Sequence, residues 1–269
     1  MYLAIDIGGT KTLVASINAS GEIVKSNKFP TPVDYTDFKK ELKANIHNLD
    51  TTFSRGAVAA PGKIDRNHGV LLACSNLTWV NVPLEADIEQ MAHCPIRLEN
   101  DTKLAGLSEA IHIIDEFKRV LYVTISTGIS SALVVDGILD KGMLDSESGQ
   151  ILLEHEGKIR TWESFASGRA IVKKYGKRAS DIDSARDWKM ISKNIAVGLI
   201  DLIAIVQPEV IIIGGGVGSH FEKFKKPLNE QLQKYETPMV AIPPVIGAYK
   251  AEEAVVYGCY HLAKMSAHE

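Results

Sequence analysis

Apolar and polar positions alternate in short blocks from the start of the chain. Residues 2–7 (YLAIDI) form an apolar run that stops at Gly8-Gly9, and residues 12–17 (TLVASI) resume it. Asn18-Ala19-Ser20-Gly21 reads as a turn and Glu22 to Phe29 as a third strand. β-rich runs separated by two tight turns predict an antiparallel meander. The spacing then predicts a helix over Tyr35 to Leu49 and a short strand over Gly56 to Ala60, stopped by Pro61-Gly62. Residues 63–83 read as loop-rich, Leu84 to Ala92 as helix and Ile96 to Leu98 as a strand. A further helix starts at Asp101 or Thr102 and runs to about Ile113.

At Val120 the opening pattern returns. VLYVTI, Ser126-Thr127-Gly128, SALVVD, Gly137 and ILD repeat the layout strand, small-residue turn, strand, turn, strand. Two such meanders predict two related α/β domains facing each other, with a boundary near residue 117. A chance likeness is the alternative, because strand–turn–strand is common. The chain after this second meander reads as mostly helical until Glu209–Ile213, a buried type of strand that enters Gly214-Gly215-Gly216. A last helix is expected from about Glu252 to Met265.

The length of 269 residues agrees with two domains. Apolar residues are 45% and charged residues 23%, the balance of a globular protein. The formal net charge of -3 lacks the basic excess of a nucleic-acid-binding domain. Cys74, Cys94 and Cys259 are scattered, which argues against both a disulfide framework and a thiolate zinc site. No basic stretch precedes an apolar run at the start. The greasy segment Ile195–Val206 is interrupted by Asp201 and falls short of the ~20 residues of a membrane helix. It reads as a core helix, and the expectation is a cytoplasmic protein with no membrane partner.

Three glycine-bearing turns could handle phosphate. In Asp6-Ile7-Gly8-Gly9-Thr10-Lys11 the glycines allow a sharp turn that brings N–H groups against an anion. Thr10 adds a donor, and Lys11 is either a phosphate neutraliser or a solvated turn residue. Asp6, at the strand end, could hold magnesium through water. The same tripeptide would also serve an ordinary hairpin. Thr127-Gly128 offers a second cradle, and Gly214-Gly215-Gly216 could lie against an adenosine. A dinucleotide fingerprint there would need a glycine where Ser219 stands, and no P-loop pattern occurs.

Glu99-Asn100-Asp101-Thr102 lies between a strand and a helix. A carboxylate here could take the proton of an attacking alcohol. Alternatively, Asp101 or Asn100 simply caps the helix. Glu147 and Glu163 stand in Gly- and Ser-rich surroundings, as sugar contacts or as solvated loop acids. Lys173, Lys174, Lys177 and Arg178 read as a solvated helix end, with attraction of a polyanion as the alternative.

Together these pieces resemble the ROK family (repressors, open reading frames and kinases) of the actin-like sugar kinase superfamily. The resemblance rests on AIDIGGTK, AAPGKID, SNLTWVNVPL, IRLENDTKLAGLSEA, VTISTGISSALVVDGIL, WESFASGRAI and QPEVIIIGGGVG, in family order along nearly the whole chain. It implies a two-domain α/β fold of the actin-like, ribonuclease H-like type, with the active-site cleft between domains. The last helix resembles one that folds back onto the first domain, giving domains 1–117 plus 252–269 and 118–251. Asp101 becomes the catalytic base. Gly62, Asn76, Asn100, Glu147, Gln150 and Glu163 join it as sugar contacts. Gly8, Gly9, Thr10, Lys11, Thr127, Gly128 and Gly214–Gly216 become nucleotide contacts.

Three departures qualify the resemblance. Gln150 replaces the family's histidine after Glu-x-Gly. ILLEHEGKIRT stands where the family's cysteine-rich zinc loop is expected, so no structural zinc is predicted; polyphosphate-using glucokinases look similar in this respect. Ser126 and Ser130 stand where glycine is frequent. The resulting expectation is a magnesium- and ATP-dependent hexose kinase, a glucokinase forming the 6-phosphate, in a homodimer. Mannose, fructose or an N-acetylhexosamine are alternative acceptors, and polyphosphate is an alternative donor. A repressor would carry a DNA-binding segment ahead of the first strand, which here begins at residue 2. A catalytically silent sugar-binding protein is the non-enzyme alternative.

Overall fold

The computed structural model describes residues 1–74, 76–250 and 253–265. Ser75 of the SNLTW stretch, the expected helix start at Glu252 and the final residues 266–269 lie outside the described residues. The chain forms two compact units, Met1–Ser108 with Glu252–Glu269, and Glu109–Ala251.

The first unit opens with the expected meander, β1 (Tyr2–Ile7), β2 (Lys11–Ile17) and β3 (Ile23–Pro30), all antiparallel neighbours. Helix α1 (Tyr35–His47) follows, its N-terminus capped by the Asp34 carboxylate. Strand β4 (Arg55–Ala60) then pairs in parallel with β1. Residues 63–83, expected to be loop-rich, also carry short strands. They form a small antiparallel sheet of β5 (Lys63–Asp65), β6 (Val70–Ala73) and β7 (Val80–Val82). Helix α2 (Leu84–Ala92), strand β8 (Ile96–Asn100) and helix α3 (Asp101–His112) complete this run, with β8 parallel to β4. The main sheet therefore has the order β3-β2-β1-β4-β8.

Strand alternation sorts this sheet into two faces. Leu3, Ile5, Ile7, Val58 and Ala60 join Phe38, Leu42 and Ile88 of α1 and α2 in one buried cluster. Ala4, Asp6, Ala57 and Ala59 occupy the intervening positions, paired Ala4 to Ala57 and Asp6 to Ala59. The last helix, Ala254–Met265, packs on β1 and β4. Its buried residues are mostly small or slender, including Ala254, Gly258, Cys259 and Ala263. Small side chains on both partners allow this close approach.

The second unit repeats the meander with β9 (Arg119–Ile125), β10 (Ile129–Val135) and β11 (Ile138–Leu139). The segment expected to be mostly helical contains a separate hairpin, β12 (Leu152–His155) with β13 (Lys158–Thr161). Asp136 at the β10–β11 turn and Glu156 at the β12–β13 turn both have positive φ. Helices α4 (Glu163–Ala166), α5 (Gly168–Tyr175) and α6 (Ala185–Val206) follow. Strand β14 (Val210–Gly214) runs into α7 (Gly215–Gly218) and α8 (Phe221–Leu232), and β15 (Val245–Gly247) closes the sheet. Its order, β11-β10-β9-β14-β15, matches the layout of the first sheet: a meander, then parallel strands on the far side of its first strand.

The core of the second unit is built around α6, whose Trp188, Ile195, Leu199 and Ile203 are buried. Trp162 is fully buried and donates its indole N–H to the Asn194 carbonyl at 3.2 Å. Asn194 in turn donates to the Phe165 carbonyl at 3.0 Å, tying α4 to α6. The segment Ile195–Val206 is thus the core helix expected, and no helix among the described residues is long and apolar enough to cross a membrane.

A Cβ placed on Gly258 would stand 2.1 Å from the Leu104 carbonyl oxygen. The last helix therefore depends on glycine there. Gly258→Ala should lower unfolding stability by roughly 1–3 kcal/mol, the cost of overpacking, as measured by urea denaturation.

Candidate functional site

The two phosphate-type turns occupy equivalent places in the two meanders. Each consists of three residues, 8–10 between β1 and β2 and 126–128 between β9 and β10. In the first, the Gly8 N–H donates to the Lys11 carbonyl at 3.0 Å. Thr31 locks it from the end of β3: its hydroxyl donates to the Gly8 carbonyl at 2.7 Å and its N–H to the Thr10 carbonyl at 3.0 Å. Thr10 and Lys11 are exposed on this turn. A Cβ on Gly9 would lie 2.7 Å from the Asn76 Cβ, so the expected acceptor residue Asn76 sits against the turn.

Asp6 leads into this turn from β1. Burial pushes its carboxyl up from an ordinary 3.8 to about 7, and the negative charge of Asp101 adds to the rise against the opposing Lys28. The structure therefore brings Asp6 and Asp101 into one electrostatic neighbourhood at the ends of β1 and β8. Asp101 is the first residue of α3, and Asn100 provides the cap. The Asn100 side-chain oxygen accepts from the Thr102 N–H at 3.0 Å and the Lys103 N–H at 3.4 Å. Asp101 Oδ1 also accepts from the Thr102 N–H, at 2.7 Å.

Gly62 adjoins this group through Asn100. Its φ of 104° lies in the left-handed region, and a Cβ there would stand 2.1 Å from the Ala73 carbonyl oxygen. Its carbonyl accepts from the Asn100 side-chain amide at 3.3 Å. Gly62, Asn100 and Asp101 are thus joined locally, as are Gly9 and Asn76.

Magnesium would fit at Asp6. Two neighbouring carboxylates, one paying for burial, are the hard oxygen donors that a divalent cation neutralises. One or two protein carboxylates with water and phosphate suffice for magnesium. No group of three or more His, Cys, Asp or Glu that could hold a metal occurs among the described residues.

In the second unit, Glu163 organises the expected contacts. Its Oε1 accepts from the Gln150 amide at 2.9 Å and its Oε2 from the Ile129 N–H at 3.3 Å. A Cβ on Gly128 would stand 2.7 Å from that same Oε2. Gln150 therefore takes a defined place beside Glu163, at the position where the family resemblance has histidine. Glu147 is exposed on the preceding turn.

A cavity of about 750 Å³ opens beside the second turn. Ser126, Thr127, Gly168, Gly216 and Val217 form its floor. Gly214 and Gly215 shape the backbone behind it. A Cβ on Gly214 would stand 2.2 Å from the Tyr122 hydroxyl, and Gly215, at φ 80°, lies against Thr124 and the Ile125 carbonyl. Of the three glycines, only Gly216 lines the cavity.

Arg169, Lys173, Arg178 and His220 also line the cavity. Lys173 and Arg178 were expected at a solvated helix end; they stand at this wall instead, because α5 starts against the second turn. The Gly168 N–H donates to the Ser126 carbonyl at 2.7 Å. The cluster was visible as five cations without an acid across residues 169–178, directly after the Ser167-Gly168 turn. Thr31 carried no local signal.

The ROK family profile matches residues 2–266. An N-acetylmannosamine kinase of Escherichia coli is 30% identical over 243 residues, covering 80% of this chain and 83% of that protein. A glucokinase of Halalkalibacterium halodurans is 26% identical over 293 aligned residues, covering 89% of this chain and 87% of that protein. The crystal structure of a ROK family glucokinase from Streptomyces griseus, in complex with glucose and AMPPNP, superimposes with a TM-score of 0.81. It is 21% identical and covers 98% of this chain and 99% of its own. Fold and relatives define the class: a sugar kinase, a phosphotransferase acting on a sugar hydroxyl, on the actin-like ATPase fold. The chain belongs to the ROK family.

The raised Asp6 carboxyl has a definite sign. Its folded value of about 7 exceeds the ordinary 3.8, so ionisation opposes folding. That cost is absent at pH 4, grows as pH rises towards 7 and is complete above it. In magnesium-free buffer, Asp6→Asn should stabilise the protein by roughly 2–4 kcal/mol at pH 8 and by almost nothing at pH 4. Urea unfolding at the two pH values measures the difference.

Proposed function

We propose that this protein transfers the terminal phosphoryl group of ATP to the 6-hydroxyl of glucose, with Asp101 as general base. The observation that carries the reading is that Asp6, which leads into the Gly8–Thr10 turn, shares one electrostatic neighbourhood with Asp101. Phosphoryl transfer needs few protein groups beyond positioning, charge neutralisation and a proton acceptor. The first unit supplies each of these.

Asp101 takes the hydroxyl proton as the sugar oxygen attacks phosphorus. Asn100, held by its cap bonds and by the Gly62 carbonyl, orients the acceptor, and Asn76 contributes a second amide. Glu163, Gln150 and Glu147 supply paired acceptors and a donor for the remaining sugar hydroxyls. Gly8, Gly9, Thr10 and Lys11, with Thr127 and Gly128, present N–H, hydroxyl and ammonium groups to the phosphates. Asp6 would hold magnesium through water; when bound, that ion neutralises phosphate charge.

The donor's adenosine occupies the cavity lined by Gly216 and backed by Gly214 and Gly215, with Val172 and Val217 as apolar walls. Glucose is the acceptor favoured by the glucokinase relatives. An N-acetylated hexosamine is the rival named by the Escherichia coli relative. One observation favours a second donor: the wall of Arg169, Lys173 and Arg178 would also suit inorganic polyphosphate.

Asp101→Asn should cut kcat by about 10²–10⁴-fold while glucose binding stays measurable by calorimetry. Near-normal turnover in this variant would refute the assignment of the base. A matrix of ATP and polyphosphate against glucose, mannose, fructose and N-acetylmannosamine tests the substrates. The highest kcat/KM is expected for ATP with glucose, and sugar-independent ADP release alone would contradict the kinase reading.

A further inference from the structure

We propose that Arg66 and Glu99 form a positioning pair that sets the geometry of Asn100 and Asp101 for phosphoryl transfer. This rests on the reading of Asp101 as the base. Glu99 immediately precedes the pair and is 5% exposed. Arg66 follows β5 and grips it with a two-pronged contact: Nε donates to Oε2 at 2.7 Å and Nη2 to Oε1 at 2.6 Å. Glu99 Oε1 also accepts from the Asn100 N–H at 2.6 Å. The carboxylate thereby links the guanidinium directly to the backbone from which the acceptor-binding amide and the base project.

A second contact runs in parallel. Gly62, at the start of the same β5–β6 hairpin, accepts from the Asn100 side-chain amide. Residues 62–66 therefore hold both the backbone N–H of Asn100, through Glu99, and its side chain. The Asn100 side chain in turn caps α3 at Thr102 and Lys103. Movement of the hairpin would be passed to the first turn of α3, where Asp101 sits. A misplacement of about 1 Å in a reacting group can cost 10²-fold in rate.

The pair is also costly to break on one side. With both groups largely shielded from water, loss of one leaves the other's charge unmatched. Arginine is the residue type the geometry requires, since a lysine would keep the charge but lose the planar fork. Arg66 does not reach a reacting atom in this scheme. It acts through Glu99.

The test compares Arg66→Lys, Arg66→Met, Glu99→Gln and the Arg66→Met/Glu99→Gln double variant of the full chain. Arg66→Met and Glu99→Gln should each lower kcat by about 10–100-fold, while the KM for ATP stays within about twofold. Arg66→Lys, the variant safest for folding, should recover part of this loss. The double variant should be no worse than the poorer single, as expected of residues acting as a unit. Hydrogen exchange provides a readout independent of activity. Protection should fall at residues 62–66 and 99–103 by clearly more than any uniform fall across β1, β4 and α1.

Unchanged exchange at 99–103, or turnover within twofold of the parent in both single variants, overturns the proposal. So does a loss of protection that is equal throughout the first unit, which would mark a purely structural contact. If the parent protein transfers no phosphoryl group to any sugar, the functional reading fails. The exchange pattern still decides whether the pair holds the 99–103 segment.

Discussion

The central constraint is electrostatic. Two carboxylates, Asp6 and Asp101, are held near each other at the ends of β1 and β8, and partial burial holds one of them, Asp6, well above the usual carboxylate range. Left to side-chain preference, such groups would separate or one would stay protonated. The fold prevents separation. Asp6 is fixed by strand alternation on the face that carries Ala4, Ala57 and Ala59, against the small residues of the last helix. Asp101 is fixed by the start of α3 and by the cap that Asn100 provides. The raised Asp6 carboxyl costs stability, a trade common where chemistry is done.

The rest of the first unit serves that arrangement. The turn after Asp6 is locked by Thr31 from a neighbouring strand, so its backbone is set before any ligand arrives. The small β5-β6-β7 sheet places Gly62 against Asn100 and Arg66 against Glu99. The second unit uses the same meander for a different purpose. Its turn abuts the cavity, and α5 starts against that turn, carrying basic side chains to the cavity wall. Gln150 and Glu163 make a neutral-to-charged hydrogen bond that does not depend on imidazole protonation.

Much of this was legible in the chain. Short apolar, β-rich runs broken by Gly- or Asn-bearing turns identified both meanders, because those signals are local. The recurrence of strand, three-residue turn and strand is matched by the common strand order of the two sheets. The position of Asp101 at a strand-to-helix junction was equally plain, but whether it or Asn100 capped the helix was not. Side-chain geometry decided that, with Asn100 as the cap. The strands at 63–83 were missed because they are only three or four residues long and separated by turn-rich stretches. The β12–β13 hairpin was missed because Leu152 and Ile159 are exposed and leave no clean alternation. Arg178 and His220 meet at one cavity only through tertiary packing, which no local pattern encodes.

Where the phosphoryl group goes is decisive. Phosphorus-31 NMR of the protein with magnesium, ATP and glucose follows that directly. The account predicts that the terminal phosphate signal of ATP is replaced, one for one, by a sugar 6-phosphate signal and ADP. Inorganic phosphate as the sole new product, or an unchanged ATP spectrum with every hexose offered, would contradict it.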